Sequence, residues 1–292
     1  MELFQYPYMQ RALVGALVIG LAAPALGIYL VQRRLALIGD GLGHVALTGV
    51  GAGLLLNRSP VLVAVIVASL GAITIELVRA RGRTSGDLAL ALLFYGGIAG
   101  GVMLVGLSDS TSASLHAYLF GSLSTISVTD LTTIAVLGVA ILVTMLALRP
   151  ALFAIGHDEE YARVSGLPVQ TLNLLLAVAT AVTVTIAMRA VGVLLISALM
   201  VVPVAAAQQV TRGFRSTMTA AMALGLFAAG SGVYVAANVD TAPGASVVLM
   251  AIASFAVAAI GGVGWRAWQR RRVAPADAPP AVEPHEVVLS RS

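Results

Sequence analysis

The sequence contains no cysteine and no lysine. Without cysteine there are no disulfides and no thiolate ligands for a metal. Without lysine there is no Walker-type phosphate loop, whose lysine reaches the nucleotide phosphates, so this polypeptide does not bind ATP in that way. All 17 basic residues are arginine. Charge of either sign is scarce, at 10% of residues, and aromatics make up 5%. What is present is apolar: 59% of residues are hydrophobic and mean hydropathy is +0.97, far from a soluble composition. Several runs approach or exceed the roughly 20 apolar residues that cross a bilayer. The opening "MELFQYPYMQR" lacks a basic start, and the apolar run after Arg11 is followed at once by another. A cleavable signal peptide is therefore not expected.

The apolar runs predict an all-α, polytopic helical bundle of about nine spans, a count soft by one. They fall near 12–32, 36–56, 60–79, 87–107, 130–148, 170–188, 190–209, 217–238 and 246–264. Arg33, Arg34, Arg79, Arg81, Arg83, Arg149, Arg163, Arg212, Arg215 and the 266–272 cluster all fall on one side, against Arg11, Arg58 and Arg189 on the other. The positive-inside rule then predicts an external N-terminus and a cytoplasmic C-terminus. Arg189 leaves two readings open, a tight outer turn between two spans or a polar residue inside one bent hairpin.

Three further segments stand apart. The outer stretch 108–129, with "LHAYLFGSL", is too short to span and too apolar for a free loop. It predicts a short helix or re-entrant piece, tolerated at membrane depth only against protein or a water-filled cavity. The cytoplasmic stretch 150–168, "PALFAIGHDEEYARVSGLP", has a proline at each end and a short helical centre. Asp158, Glu159 and Glu160 lie at the start of that helix, where the dipole favours anions. After Trp268 the chain turns proline-rich and polar. Residues 1–268 are therefore expected to form the transmembrane domain and 269–292 a disordered cytoplasmic tail, with His285 incidental.

The candidate site lies in "LIGDGLGHVALTG". Asp40 and His44 are i and i+4 on one helix face, in a run with no other charge. Ionisable groups inside a span are costly and tend to line a pathway or hold a ligand. The structural alternative is a neutral hydrogen-bonded pair gluing two helices. The Gly39-x-x-x-Gly43 and Gly49-x-x-x-Gly53 spacings favour close helix packing by themselves. For a span over 36–56, both residues sit roughly 6–12 Å from its cytoplasmic end. Two ligands do not complete a metal site: zinc usually takes four and manganese up to six, so others must come from other helices or a second copy of the chain. Asp240, in "NVDTAPGAS", is either a turn or cap before Pro243 or part of the ion path. His116 and Asp109 read as an outer surface pair, and His157 as a solvated loop residue. Glu76, one turn from Arg79, reads as a snorkelling ion pair.

The chain resembles the permease subunit of the zinc/manganese ABC importers of bacteria. The resemblance is carried by "RRLALIGDGLGHVALTGVGAGLLL", "AYLFGSLSTISVTDL", "DEEYARVSGLPV", "AMRAVGVLLISALMVVPVAAA" and "DTAPGASVVL", in order along nearly the whole chain. It implies that Asp40 and His44, in the G-D-x-x-x-H pattern, are intramembrane metal ligands. It also implies that Asp158, Glu159, Glu160, Ala162, Arg163, Gly166, Leu167 and Pro168 belong to a coupling segment that docks into an ATPase. A looser likeness to cobalamin and iron-siderophore importer permeases implies a cytoplasmic gate at Thr84 and Ser85. The assembly implied is a homodimer of permeases in the bacterial inner membrane, with two cytosolic ATP-binding subunits and an extracytoplasmic metal-binding protein. No permanently bound cofactor and no nucleic-acid partner are expected. The cargo is a divalent metal, zinc or manganese, with iron open; carboxylate plus imidazole suits all three.

Rival classes read less well. A metal- or proton-coupled secondary transporter also places Asp and His inside a span, but does not need the helical loop at 150–168 and would carry internal repeats, which are not evident. An intramembrane metalloprotease needs H-E-x-x-H, which is absent. A siderophore or cobalamin permease has no need of a charged site sized for a bare ion.

Overall fold

The computed structural model describes residues 6–80, 86–108, 112–122, 126–239 and 241–272. Twelve helices follow one another: α1 Pro7–Gln32, α2 Ile38–Leu55, α3 Pro60–Ala80, α4 Gly86–Leu107, α5 Ser112–Phe120, α6 Val128–Ala147, α7 Arg149–His157, α8 Glu159–Val164, α9 Val169–Ala187, α10 Val193–Val210, α11 Phe214–Val239 and α12 Pro243–Arg272. Among the described residues eight helices are long and apolar enough to cross a membrane, and α10 contributes a shorter apolar stretch, Leu195–Val210. The fold is that of a polytopic helical membrane protein.

Several ends move from their sequence-based positions. The first helix starts at Pro7, not near 12. Proline suits this position because its missing N–H would have no intrahelical partner. Arg11 is carried inside the helix because its guanidinium turns back to backbone, Nε donating to the Pro7 carbonyl at 3.0 Å and Nη1 to that of Ile126 at 3.3 Å. At the other end, α12 runs on to Arg272, past the predicted edge at 264, so that 269–272 are helical; 273–292 lie outside the described residues.

The helices divide by what surrounds them. α1, α2 and α9 are the most enclosed and form the core with α10. On α3 and α6, by contrast, Leu62, Ile66 and Leu70, and Val136, Val139 and Val143, are exposed. Such outward apolar faces are the natural boundary with lipid tails. Since hydrocarbon gives no hydrophobic drive between helices, packing relies on close approach at small residues. α1 crosses α11 at Gly20 and Gly225, where a Cβ on Gly20 would lie 2.8 Å from the Gly225 carbonyl oxygen. Polar side chains in the core bond inward: Thr180, Thr183 and Thr185 of α9 each donate to the carbonyl four residues back at 2.7 Å. Tyr29 of α1 donates to the Met145 carbonyl at 2.9 Å, satisfying an acceptor in the last turn of α6.

Arg189 resolves as a tight turn. α9 ends at Ala187, Gly192 takes φ +91°, and α10 begins at Val193. The guanidinium lies 3.2 Å from Asp130 and over the Tyr118 ring, so the turn is tied to α5 and to the start of α6. Asp130 has a second role, closing a capping box with Ser127 at the N-terminus of α6.

Candidate metal-ion site

α2 begins at Ile38, two residues later than the sequence-based span. Asp40 therefore occupies the first helical turn and His44 the next. At about 1.5 Å per residue they lie roughly 3 and 9 Å into the helix. The later start places the carboxylate where the helix dipole favours an anion. Asp40 is half-buried, and His44 is 9% exposed.

α2 is held from three sides through its glycines. Gly39 and Gly43 face α10, meeting Ser197 and Val193; Gly49 and Gly53 face α3, meeting Ala64 and Pro60. The two G-x-x-x-G spacings thus serve different neighbours. α4 presents a stripe of its own: Gly97, Gly100 and Gly101 stand against His44, Thr48 and Leu47. The Thr48 hydroxyl donates to the Gly97 carbonyl at 2.9 Å. At about 100° per residue, Asp40 and His44 project between the α10-facing and α4-facing sides of the helix.

The His44 ring meets the edge of Phe94 at 4.6 Å between centroids, with planes at 79°. Its Nδ1 is buried without a hydrogen-bond partner, as is Ser197 Oγ on α10. No hydrogen bond joins Asp40 to His44, so the glue reading finds no bond here. A buried imidazole nitrogen normally has a partner; this one has none, and a carboxylate stands one helical turn away. Among the described residues no group of three or more His, Asp or Glu side chains converges. Within a single chain the site consists of Asp40 and His44.

The other candidates lie elsewhere. Asp240, Thr84, Ser85 and Asp109 fall outside the described residues. His116, on α5, packs its ring on Phe120 at 4.6 Å, and His157 stacks on Phe153 at the end of α7. Glu76 and Arg79 pair at 3.3 Å, as their spacing predicts, though Glu76 is buried. The 150–168 segment is two helices, because Asp158 is extended (φ −151°) and caps α8 by accepting from the Tyr161 N–H at 2.9 Å. Ala162 is fully buried, while Arg163, Gly166 and Pro168 are exposed. Gly166 takes φ +82°, a conformation that favours glycine, and Leu167 donates to the Ala162 carbonyl at 3.1 Å to close the helix.

From the sequence, Arg33 is only a topological charge. Its side chain is 8% exposed, with Nη2 3.2 Å from Glu159 and Nη1 2.7 Å from Asn173 Oδ1. Burial draws this guanidinium below its ordinary pKa and the Arg79 charge acts the same way, while Glu159 and Glu76 oppose them. A cavity of about 740 Å³ adjoins the cluster, lined by Glu76, Arg79, Glu159, Arg163 and Asn173 among others. Nothing in the pattern of single residues announces Asn173 or Ser197. The α4 stripe was legible, in the paired glycines of "YGGIAGGV".

These features define a multi-span membrane protein with a carboxylate and an open imidazole inside one helix. The profile of the ABC 3 transport family matches residues 5–262, and the chain belongs to that family. It is 31% identical to the manganese transport system membrane protein MntC of Halalkalibacterium halodurans, over 93% of this chain and 94% of that one. It is also 31% identical to the high-affinity zinc uptake system membrane protein ZnuB of Haemophilus influenzae, over 82% and 91% of the two chains. In the solved structure of PsaBC from Streptococcus pneumoniae in complex with Fab, one chain superposes with a TM-score of 0.80 at 28% identity, covering 88% of this chain and 92% of that one.

Proposed function

We propose that the chain is the membrane permease of an ATP-driven importer of divalent transition-metal ions in the bacterial inner membrane. Asp40 and His44 meet the ion along its path. The observation that carries the site is the buried Nδ1 of His44, unpartnered and one turn from Asp40. The names of the relatives, a manganese system and a zinc system, support a small cationic cargo. Carboxylate and imidazole are donors that zinc, manganese and iron all accept. Two ligands per chain favour a homodimer that places two Asp40–His44 pairs about one ion, which brings the donor count to the four or more such ions take. Asp240 is proposed at the outer approach and Thr84 with Ser85 at the inner gate.

The chemistry of ATP is assigned to a separate subunit, two copies per importer, in keeping with the absent phosphate-loop lysine. The 158–168 segment is its docking element. Tyr161 and Val164 of α8 are 69% and 89% exposed, and apolar side chains so presented beside charged ones suit a protein partner. The arginine-rich helix ends, including Arg33, Arg79, Arg149 and Arg163, support a cytoplasmic position for this side and an external N-terminus, where a metal-binding protein delivers the ion. Residues 1–268 make up the permease domain.

The test is metal-limited growth of a strain whose own importer is replaced by His44→Ala or Asp40→Asn. Both variants should reach the membrane at normal levels and lose growth that excess metal restores. Normal uptake by both would remove these residues from the path.

A further inference from the structure

A second cavity, of about 410 Å³, opens where α1 turns into α2 beside the end of α3 and the first turns of α4. Arg34, Leu35, Ala36, Leu37, Ile38, Ile75, Arg79 and Leu90 line it. Six of these eight side chains are apolar and the other two are guanidinium cations. That is an unusual lining for water and a natural one for an amphiphile. We propose that this cavity binds an anionic phospholipid, with Arg34 and Arg79 on its phosphate and the leucine and isoleucine walls on its glycerol backbone and upper acyl chain.

Four observations support that occupant. The cavity lies at the level where four spanning helices begin or end, which is headgroup depth for helices of this length. Leu37, at its rim, is 65% exposed although it sits in a connection rather than a span; an apolar side chain there is suited to lipid rather than water. Arg34 is exposed and makes no ion pair with a described carboxylate, so its charge is available. Arg79 pairs with Glu76 at 3.3 Å through one nitrogen, and its guanidinium carries further N–H groups suited to a phosphate.

The backbone adds a fifth. Arg34 has φ +58° and follows the last turn of α1, with the Leu35 N–H closing on the Leu30 carbonyl at 2.8 Å. This is the left-handed position that ends many helices, and glycine is the residue that fits it without strain. An arginine there is unfavourable for the turn, so a function of the side chain itself explains its presence. Basic hollows between spanning helices on the cytoplasmic side are suited to anionic headgroups. The inference needs the membrane reading but not the identity of the cargo.

Native mass spectrometry of the full-length chain, delipidated and then titrated with phosphatidylglycerol or phosphatidylcholine, tests it. The wild type should bind phosphatidylglycerol several-fold more tightly than phosphatidylcholine. Arg34→Gly should weaken phosphatidylglycerol binding about fivefold, the scale of one surface cation at an anionic membrane, and leave the unfolding temperature equal or higher because the turn is relieved. Arg34→Lys should retain the preference. In the assembled importer the lipid should remain bound. Equal affinity for the two lipids, a wild-type response from Arg34→Gly, or a loss matched by a lower unfolding temperature would overturn the proposal. Release of the lipid when the ATPase or a second copy assembles would assign the surface to a protein instead.

Discussion

Arg33 closes α1 and reaches Glu159 in the first turn of α8 at 3.2 Å, across 126 residues of sequence. Its other arm holds Asn173 on α9 at 2.7 Å. One buried cation thus joins the proposed docking element to the connection that leads, five residues later, into α2 and Asp40. A displacement of α8 by a partner has a direct physical route to α2, through a rigid fork of N–H donors.

That arrangement separates two neighbouring acids. Glu159 is turned inward to Arg33, whereas Glu160 is exposed. Glu159→Arg should place two cations together, lower the unfolding temperature of the isolated permease and uncouple ATP hydrolysis from transport. Glu160→Arg should leave the unfolding temperature unchanged and weaken copurification with the ATPase. Replacing Arg33 by Leu strands the Asn173 oxygen, at a cost of about 1–3 kcal/mol, and its unfolding temperature should fall below that of Glu159→Gln. If Glu160→Arg binds the ATPase and transports normally, the docking assignment of α8 is wrong.

Two adjacent glycines offer a matched test of the α2–α4 contact. A Cβ on Gly97 would lie 2.7 Å from backbone atoms of His44 and Val45, and backbone there has no room to yield. At Gly96 nothing stands within 4 Å. Gly97→Ala should therefore push α4 from α2, lowering both stability and uptake. Gly96→Ala should be neutral or stabilising by up to about 1 kcal/mol from helix propensity. Thermal unfolding and metal uptake on the two variants suffice, and equal behaviour would contradict the packing described.

The absence of cysteine makes orientation directly measurable. Single cysteines at Thr241, before α12, and Ser165, after α8, both fall at exposed positions at opposite ends of the bundle. An impermeant thiol reagent added to intact cells should label Thr241→Cys and spare Ser165→Cys until the membrane is opened. The reverse pattern would invert the topology and with it the direction of import.

The Asp130 carboxylate bonds the Ser127 N–H and hydroxyl and also pairs with Arg189. Asp130→Ala should cost more than either Ser127→Ala or Arg189→Ala, since it removes the carboxylate's half of the capping box and the ion pair together. A lost cap by itself is worth about 1 kcal/mol. Chemical unfolding of the three variants in one detergent gives the order, and a smaller loss for Asp130→Ala than for Ser127→Ala would contradict it.

Composition and order along the chain determined a good deal here. Apolar runs separated by arginines specify a bundle of spanning helices because lipid leaves a backbone no other way to satisfy its hydrogen bonds. Asp40 and His44 were legible because a charge inside such a run has no neighbours to hide among, and the short helix in 108–129 because it is too apolar for a loop. Tertiary structure decided what depends on distance between segments far apart in sequence. It turned Arg33 from a surface charge into a buried link, gave Asp130 a partner in Arg189, set the two glycine pairs of α2 against different helices, and left the His44 nitrogen without a partner. None of these follows from local pattern, because each depends on which helices meet and at what height. Sequence fixes the faces of a helix; only packing decides what each face touches.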